Sequence, residues 1–167
     1  MVMDIDFLKR LLGFVLLCMA QVLVFNRIQL FYCAIPMIYV YFVVTFSYQY
    51  SKAGILLWCF LMGIIIDMFD NTPGLTATAL TALGVLQPYV LSFFIPHDAT
   101  ETLHTTLKSM GWSKYFTYVL IMVSVYSLLF FTVDAFSFFN WLQWLLSVVG
   151  STLLTVLLVL TLESVRK

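Results

Sequence analysis

Asp67 and Asp70 stand three residues apart in the stretch Ile-Asp-Met-Phe-Asp-Asn-Thr-Pro-Gly, residues 66 to 74. Paired acids at such spacing raise a catalytic or ligand-binding site, with a plain helix-to-helix turn as the competing reading. Asp and Asn favour turns, and Pro is favoured in the first turn of a helix. Thr72 can then serve as N-cap with Pro73 at the first helical position, and Asp70 reads as part of that turn together with Gly74. Asp67 is different, because a turn does not require an acid three residues earlier. If a helix starts at Ala53, Asp67 lies about 21 Å along it at 1.5 Å per residue. An ionised carboxylate at that depth in lipid is costly unless paired, and it sits near a helix C-terminus, where the macrodipole disfavours it. Arg27 is the one basic residue expected on the same side of the membrane, so an Asp67–Arg27 contact is the expected pairing.

The rest of the chain offers little further chemistry. It holds no Ser-His-Asp arrangement, no glycine-rich phosphate cradle and no general acid convergent with the two carboxylates, so no catalytic set is expected. His97, Glu101, His104 and Lys108 recur on one face of a helix, with Leu103, Leu107 and Met110 opposite. Two histidines and a glutamate can ligate zinc. H-E-x-x-H is absent, however, and Lys108 opposes a cation; an amphipathic helix on the inner membrane surface explains the same pattern. Cys18, Cys33 and Cys59 lie in apolar runs with no C-x-x-C spacing and read as small packing residues. No metal and no cofactor is expected.

The elements that must position these residues follow from composition. Of 167 residues, 63% are hydrophobic and only 10% charged, with a mean hydropathy of +1.04. A soluble domain carries about 25% charged residues, so the solvent for this chain is lipid. Net charge is zero, and no basic excess points to nucleic acid. A bilayer core of about 30 Å takes about 20 helical residues. Six segments approach that length: 11–25, 28–48, 53–69, 75–95, 115–133 and 141–162. They are apolar on all faces, as expected of helices and not of barrel strands. The expectation is one all-α integral membrane domain with six transmembrane helices. Of the eight basic residues, Lys9, Arg10, Lys52, Lys108, Lys114, Arg166 and Lys167 then fall on one side and only Arg27 on the other. By the positive-inside rule both chain ends are cytoplasmic. Asp67, Asp70 and Asp134 fall outside.

Within the fourth segment, Ala77 and Thr81, like Thr78 and Ala82, are small residues spaced by four, a face that lets helices approach closely in lipid. Pro88 is expected to kink that helix and free a carbonyl for Gln87 or a neighbour to satisfy. The outer connection near 130–144 holds Phe130, Phe131, Phe136, Phe138, Phe139, Trp141 and Trp144. It reads as an aromatic belt, with partner docking as the other option.

The segments GIIIDMFDNTPGLTATALTALGVLQPYVL (63–91), IPHD (95–98), GWSKY (111–115), DAFSFFN (134–140) and STLLTVLL (151–158) follow one another in an order that resembles the bacterial rod shape-determining MreD family, in its Bacteroidetes-type form. The resemblance spans nearly the whole chain and rests most on 63–91. It implies a non-enzymatic scaffold subunit of the inner (cytoplasmic) membrane, binding MreC and helping control peptidoglycan synthesis and rod cell shape. MreB, RodA and a class B penicillin-binding transpeptidase are implied as indirect partners. The implied fold is similar to the substrate-binding (S) subunit of energy-coupling-factor transporters. A vitamin-binding S-type subunit is the alternative function. It needs a pocket with several polar donors, and the intramembrane supply is short: Gln21, Gln29, Gln87 and Asp67. A small lipid-modifying enzyme is a weaker third option.

Overall fold

The computed structural model describes residues 2–23, 35–47, 50–94, 111–135 and 141–165. Among them the chain is all-helical, with no strand. In chain order the helices are α1 (Val2–Leu23), α2 (Val40–Val44), α3 (Lys52–Asp70), α4 (Leu75–Ser92), α5 (Trp112–Ala135) and α6 (Trp141–Val165). α3, α4, α5 and α6 are each long and apolar enough to cross a membrane, which makes this an all-α membrane protein. α3 and α4 form the most extensive pairing; α5 packs on α4, α6 on α5, and α1 on α3.

The helices are inside-out relative to those of a soluble protein. α6 turns Leu142, Leu145, Leu146, Val149, Leu153 and Leu157 outward and buries Ser147, Ser151 and Thr155 at a spacing of four. Leucine has nothing to gain by leaving lipid, whereas a hydroxyl there needs a partner. The buried core is rich in aromatics: Tyr115, Tyr118, Tyr126 and Phe46 are fully enclosed.

The second expected helix requires correction. Over the described part of 28–48, helix covers only Val40–Val44. Residues 35–39 are irregular, and 310-type bonds run from Val40 N to Met37 O, Tyr41 N to Ile38 O and Phe42 N to Tyr39 O. Pro36 is the local cause, since it carries no N–H and biases Ile35 away from helix. Irregular backbone at membrane depth is tolerated only where protein satisfies it, and here side chains from four helices do so. The Ile35 amide donates to Ser151 Oγ at 3.0 Å and the Met37 amide to Thr155 Oγ1 at 3.2 Å, both on α6. Gln21 of α1 donates to Pro36 O at 3.0 Å and accepts from the Ile38 amide at 3.1 Å. Past α2, Gln87 of α4 donates to Phe46 O at 3.1 Å, and the Tyr118 hydroxyl of α5 reaches Val44 O at 3.4 Å. Six spans therefore do not emerge as six continuous helices.

The candidate site at the α3–α4 turn

Ser51 caps the start of α3, its Oγ accepting from the Gly54 amide at 3.2 Å. The helix ends at Asn71, in the left-handed region with φ 56°, whose amide returns to Asp67 O. Gly74, at φ 87°, then flanks the start of α4 and offers no side-chain cap. The cap comes from the preceding helix. Asp67 Oδ1 accepts from the Thr76 amide at 2.8 Å, and Oδ2 from the Ala77 amide at 3.0 Å. Thr76 and Ala77 are the second and third residues of α4, whose amides an N-cap side chain ordinarily satisfies. Thr72 Oγ1 adds a third donor to Oδ1 at 3.3 Å. Asp67 is 4% exposed, so these contacts form away from water.

Two expectations change as a result. Thr72 is not the N-cap and Pro73 is not the first helical residue; α4 begins at Leu75 because Asp67 occupies the capping role from outside. Asp67 also has three donors from its own hairpin that the sequence reading did not foresee. It sits at the unfavourable C-terminal end of α3 but at the favourable N-terminal end of α4, whose amides bond its two oxygens. Arg27, the partner expected from sequence, lies outside the described residues.

The turn is held as tightly below the cap. A Cβ at Gly63 would meet the Ala77 backbone, its Cα and its amide nitrogen, the latter at 2.7 Å. Only glycine lets α3 approach α4 so closely. One helical stretch further on, a Cβ at Gly84 would meet Cys59 Sγ at 2.9 Å, so the thiol fills space beside a second glycine. Cys59 and Cys18 are buried and free, in keeping with packing.

The other expected site residues scatter. Ala77 is buried against α3, and half-buried Thr81 donates to its carbonyl at 2.6 Å. Thr78 points outward and bonds Gly74 O within its own helix at 2.7 Å. Asp70 is half-buried, and Pro73 and Gly74 are exposed. Asp134 is exposed at the far end of α5, as is Trp141 at the start of α6. Phe136 lies outside the described residues, as do the His97–Lys108 face and Cys33. Gln87 does not satisfy a carbonyl freed by Pro88; it turns to Phe46 O instead.

Sequence reasoning missed the tyrosine pair behind the turn. The Tyr39 and Tyr126 hydroxyls lie 2.8 Å apart, with the rings edge to face. It also missed Ser151 and Thr155, whose spacing of four inside an apolar helix was the available signal. A surface concavity of about 290 Å3 adjoins the turn, lined by Ile64, Asp67, Met68, Asn71, Pro73 and Gly74. Among the described residues no cluster of His, Cys, Asp and Glu could hold a metal ion. Comparison of the chain with family models, curated proteins and solved structures gave no match.

Proposed function

We propose that this chain is a non-enzymatic scaffold subunit of the inner (cytoplasmic) membrane, similar to MreD, that binds MreC and helps direct peptidoglycan synthesis in rod-shaped growth. One observation carries the reading. Of the four intramembrane polar side chains named from sequence, the three among the described residues each bond the protein's own backbone. Asp67 caps α4, Gln21 holds Pro36 and Ile38, and Gln87 holds Phe46. Polar groups used this way make a rigid platform. The stretch that carries the family resemblance, 63–91, is the α3–α4 hairpin with Gly63 and Asp67 at its two fixing points.

In this reading the segment around 28–48 crosses the membrane as a broken span, and α1 supplies the first of six, with both chain ends cytoplasmic. The turn then faces the periplasm. Met68 at 78% exposure and Phe69 at 64% flank it and offer apolar area to a partner.

The S-type transporter subunit remains the alternative, and the concavity beside Asp67 is the feature in its favour. Three protein donors already occupy most of the carboxylate's acceptor positions, which favours the scaffold. Depletion separates the two. Rounded cells, and recovery of MreC with the tagged chain from detergent extracts, are the expected results. Unchanged rods with a vitamin requirement would transfer the assignment to transport.

A further inference from the structure

We propose that the cleft between the start of α3 and the end of α4 binds the phosphate of an anionic membrane phospholipid. The cleft is about 280 Å3 and is lined by Tyr50, Lys52, Pro88, Tyr89 and Ser92. Liquid water takes about 30 Å3 per molecule, so a phosphodiester fits with room for its glycerol oxygens.

Position identifies the ligand class. Lys52 is the first residue of α3 and Ser92 the last of α4, and both helices are long enough to span a bilayer. Their shared end lies where hydrocarbon gives way to headgroups. The anion concentrated at that level is lipid phosphate.

The lining suits that anion. Lys52 is exposed, and its Nζ stands 5.1 Å from the centroid of the Tyr89 ring, which holds the ammonium at the cleft. Tyr50 lines the cleft, and its Oη accepts from Trp58 Nε1 at 3.1 Å, so the phenol's own proton is not used in that bond. The Arg10 guanidinium stands 4.4 Å from the centroid of the Tyr50 ring and holds that ring in place. None of the five lining residues is a carboxylate. Tyr89, Phe93 and Leu86 are exposed beside the cleft and offer an apolar track for an acyl chain.

The test uses the full chain in nanodiscs of equal phosphatidylglycerol and phosphatidylcholine, with retained lipid read by native mass spectrometry. Preferential retention of phosphatidylglycerol is expected. Lys52→Ala should lower it about fivefold, the attraction of one basic residue for an anionic headgroup, while Lys52→Arg keeps it. Lys114→Ala, an exposed cation in the first turn of α5, should leave it unchanged. Equal retention of both lipids, or retention unaffected by Lys52→Ala and by Lys52→Glu, overturns the proposal. Inorganic phosphate titrated onto the delipidated chain separates the sources. No saturable binding is expected, and Lys52-dependent saturation that displaces lipid would assign the cleft to free phosphate instead. Circular dichroism on each variant shows that the fold is intact. None of these readouts depends on MreC binding or cell shape.

Discussion

The α3–α4 turn and the irregular segment 35–47 face the same problem in opposite ways. Both must satisfy backbone groups that lipid cannot. At the turn, one carboxylate answers amides nine and ten residues further along the chain. In the segment, the Ile35 and Met37 amides find acceptors 116 and 118 residues away, and the partners of the whole segment are spread over α1, α4, α5 and α6. The turn is therefore a local device that two adjacent helices can complete alone. The segment is complete only when the whole bundle is.

That contrast can be broken at the turn with the largest effect. Asp67→Ala leaves two buried amides and the Thr72 hydroxyl without their acceptor. Hydrogen bonds to a charged group are worth about 1.5–3 kcal/mol each, so the two amide bonds alone put the expected loss at about 3–6 kcal/mol in reversible denaturation in detergent micelles. Asp67→Asn keeps one acceptor oxygen and should recover about half. A charge-reversal swap between Asp67 and Arg27 should give no rescue, because the carboxylate is answered by amides; rescue would restore the ion pair expected from sequence.

Gly63→Ala comes next. The added Cβ meets backbone of Ala77 that cannot rotate away, so the helices must separate. Overpacking costs about 1–3 kcal/mol, and about 2 kcal/mol is expected in the same assay. Gly84→Ala meets a cysteine side chain instead and should cost less.

The segment should respond weakly and over a wide area. Gln21→Leu removes two bonds and Thr155→Val one. Interhelical hydrogen bonds in membranes average about 0.6 kcal/mol, so about 1 kcal/mol and about 0.6 kcal/mol are expected. Hydrogen exchange sharpens the comparison: Gln21→Leu should speed exchange at Ile38, and Thr155→Val at Met37, with Thr76 and Ala77 unchanged. If either variant exposes the turn amides, the two regions are one cooperative unit and the contrast fails.

How much of this was legible in the sequence depends on the element. α3, α4, α5 and α6 were readable to within a few residues, because long runs apolar on all faces have few alternatives in lipid. The segment 35–47 was not, because an apolar run looks the same whether its backbone bonds close locally or across the bundle. Pro36 in the middle of the run, with Ser151 and Thr155 four apart in another, was the pair of clues. Asp67 was readable as an acid in need of stabilisation, but its partner was not. Opposite charge has a residue letter, whereas the positive end of a helix has none of its own. Ala77 was readable as a close-packing position; that Gly63 stands opposite it required coordinates.

The reach from Ile35 and Met37 to Ser151 and Thr155 also sets an order of events during synthesis. Those hydroxyls leave the ribosome more than a hundred residues after the amides they receive. Until then the Pro36 stretch must stay near water or within the insertion machinery, since bare amides are expelled from hydrocarbon. A nascent chain halted before α6 can zip the α3–α4 hairpin but cannot seat this stretch, and so presents quality-control proteases with a specific unfinished piece.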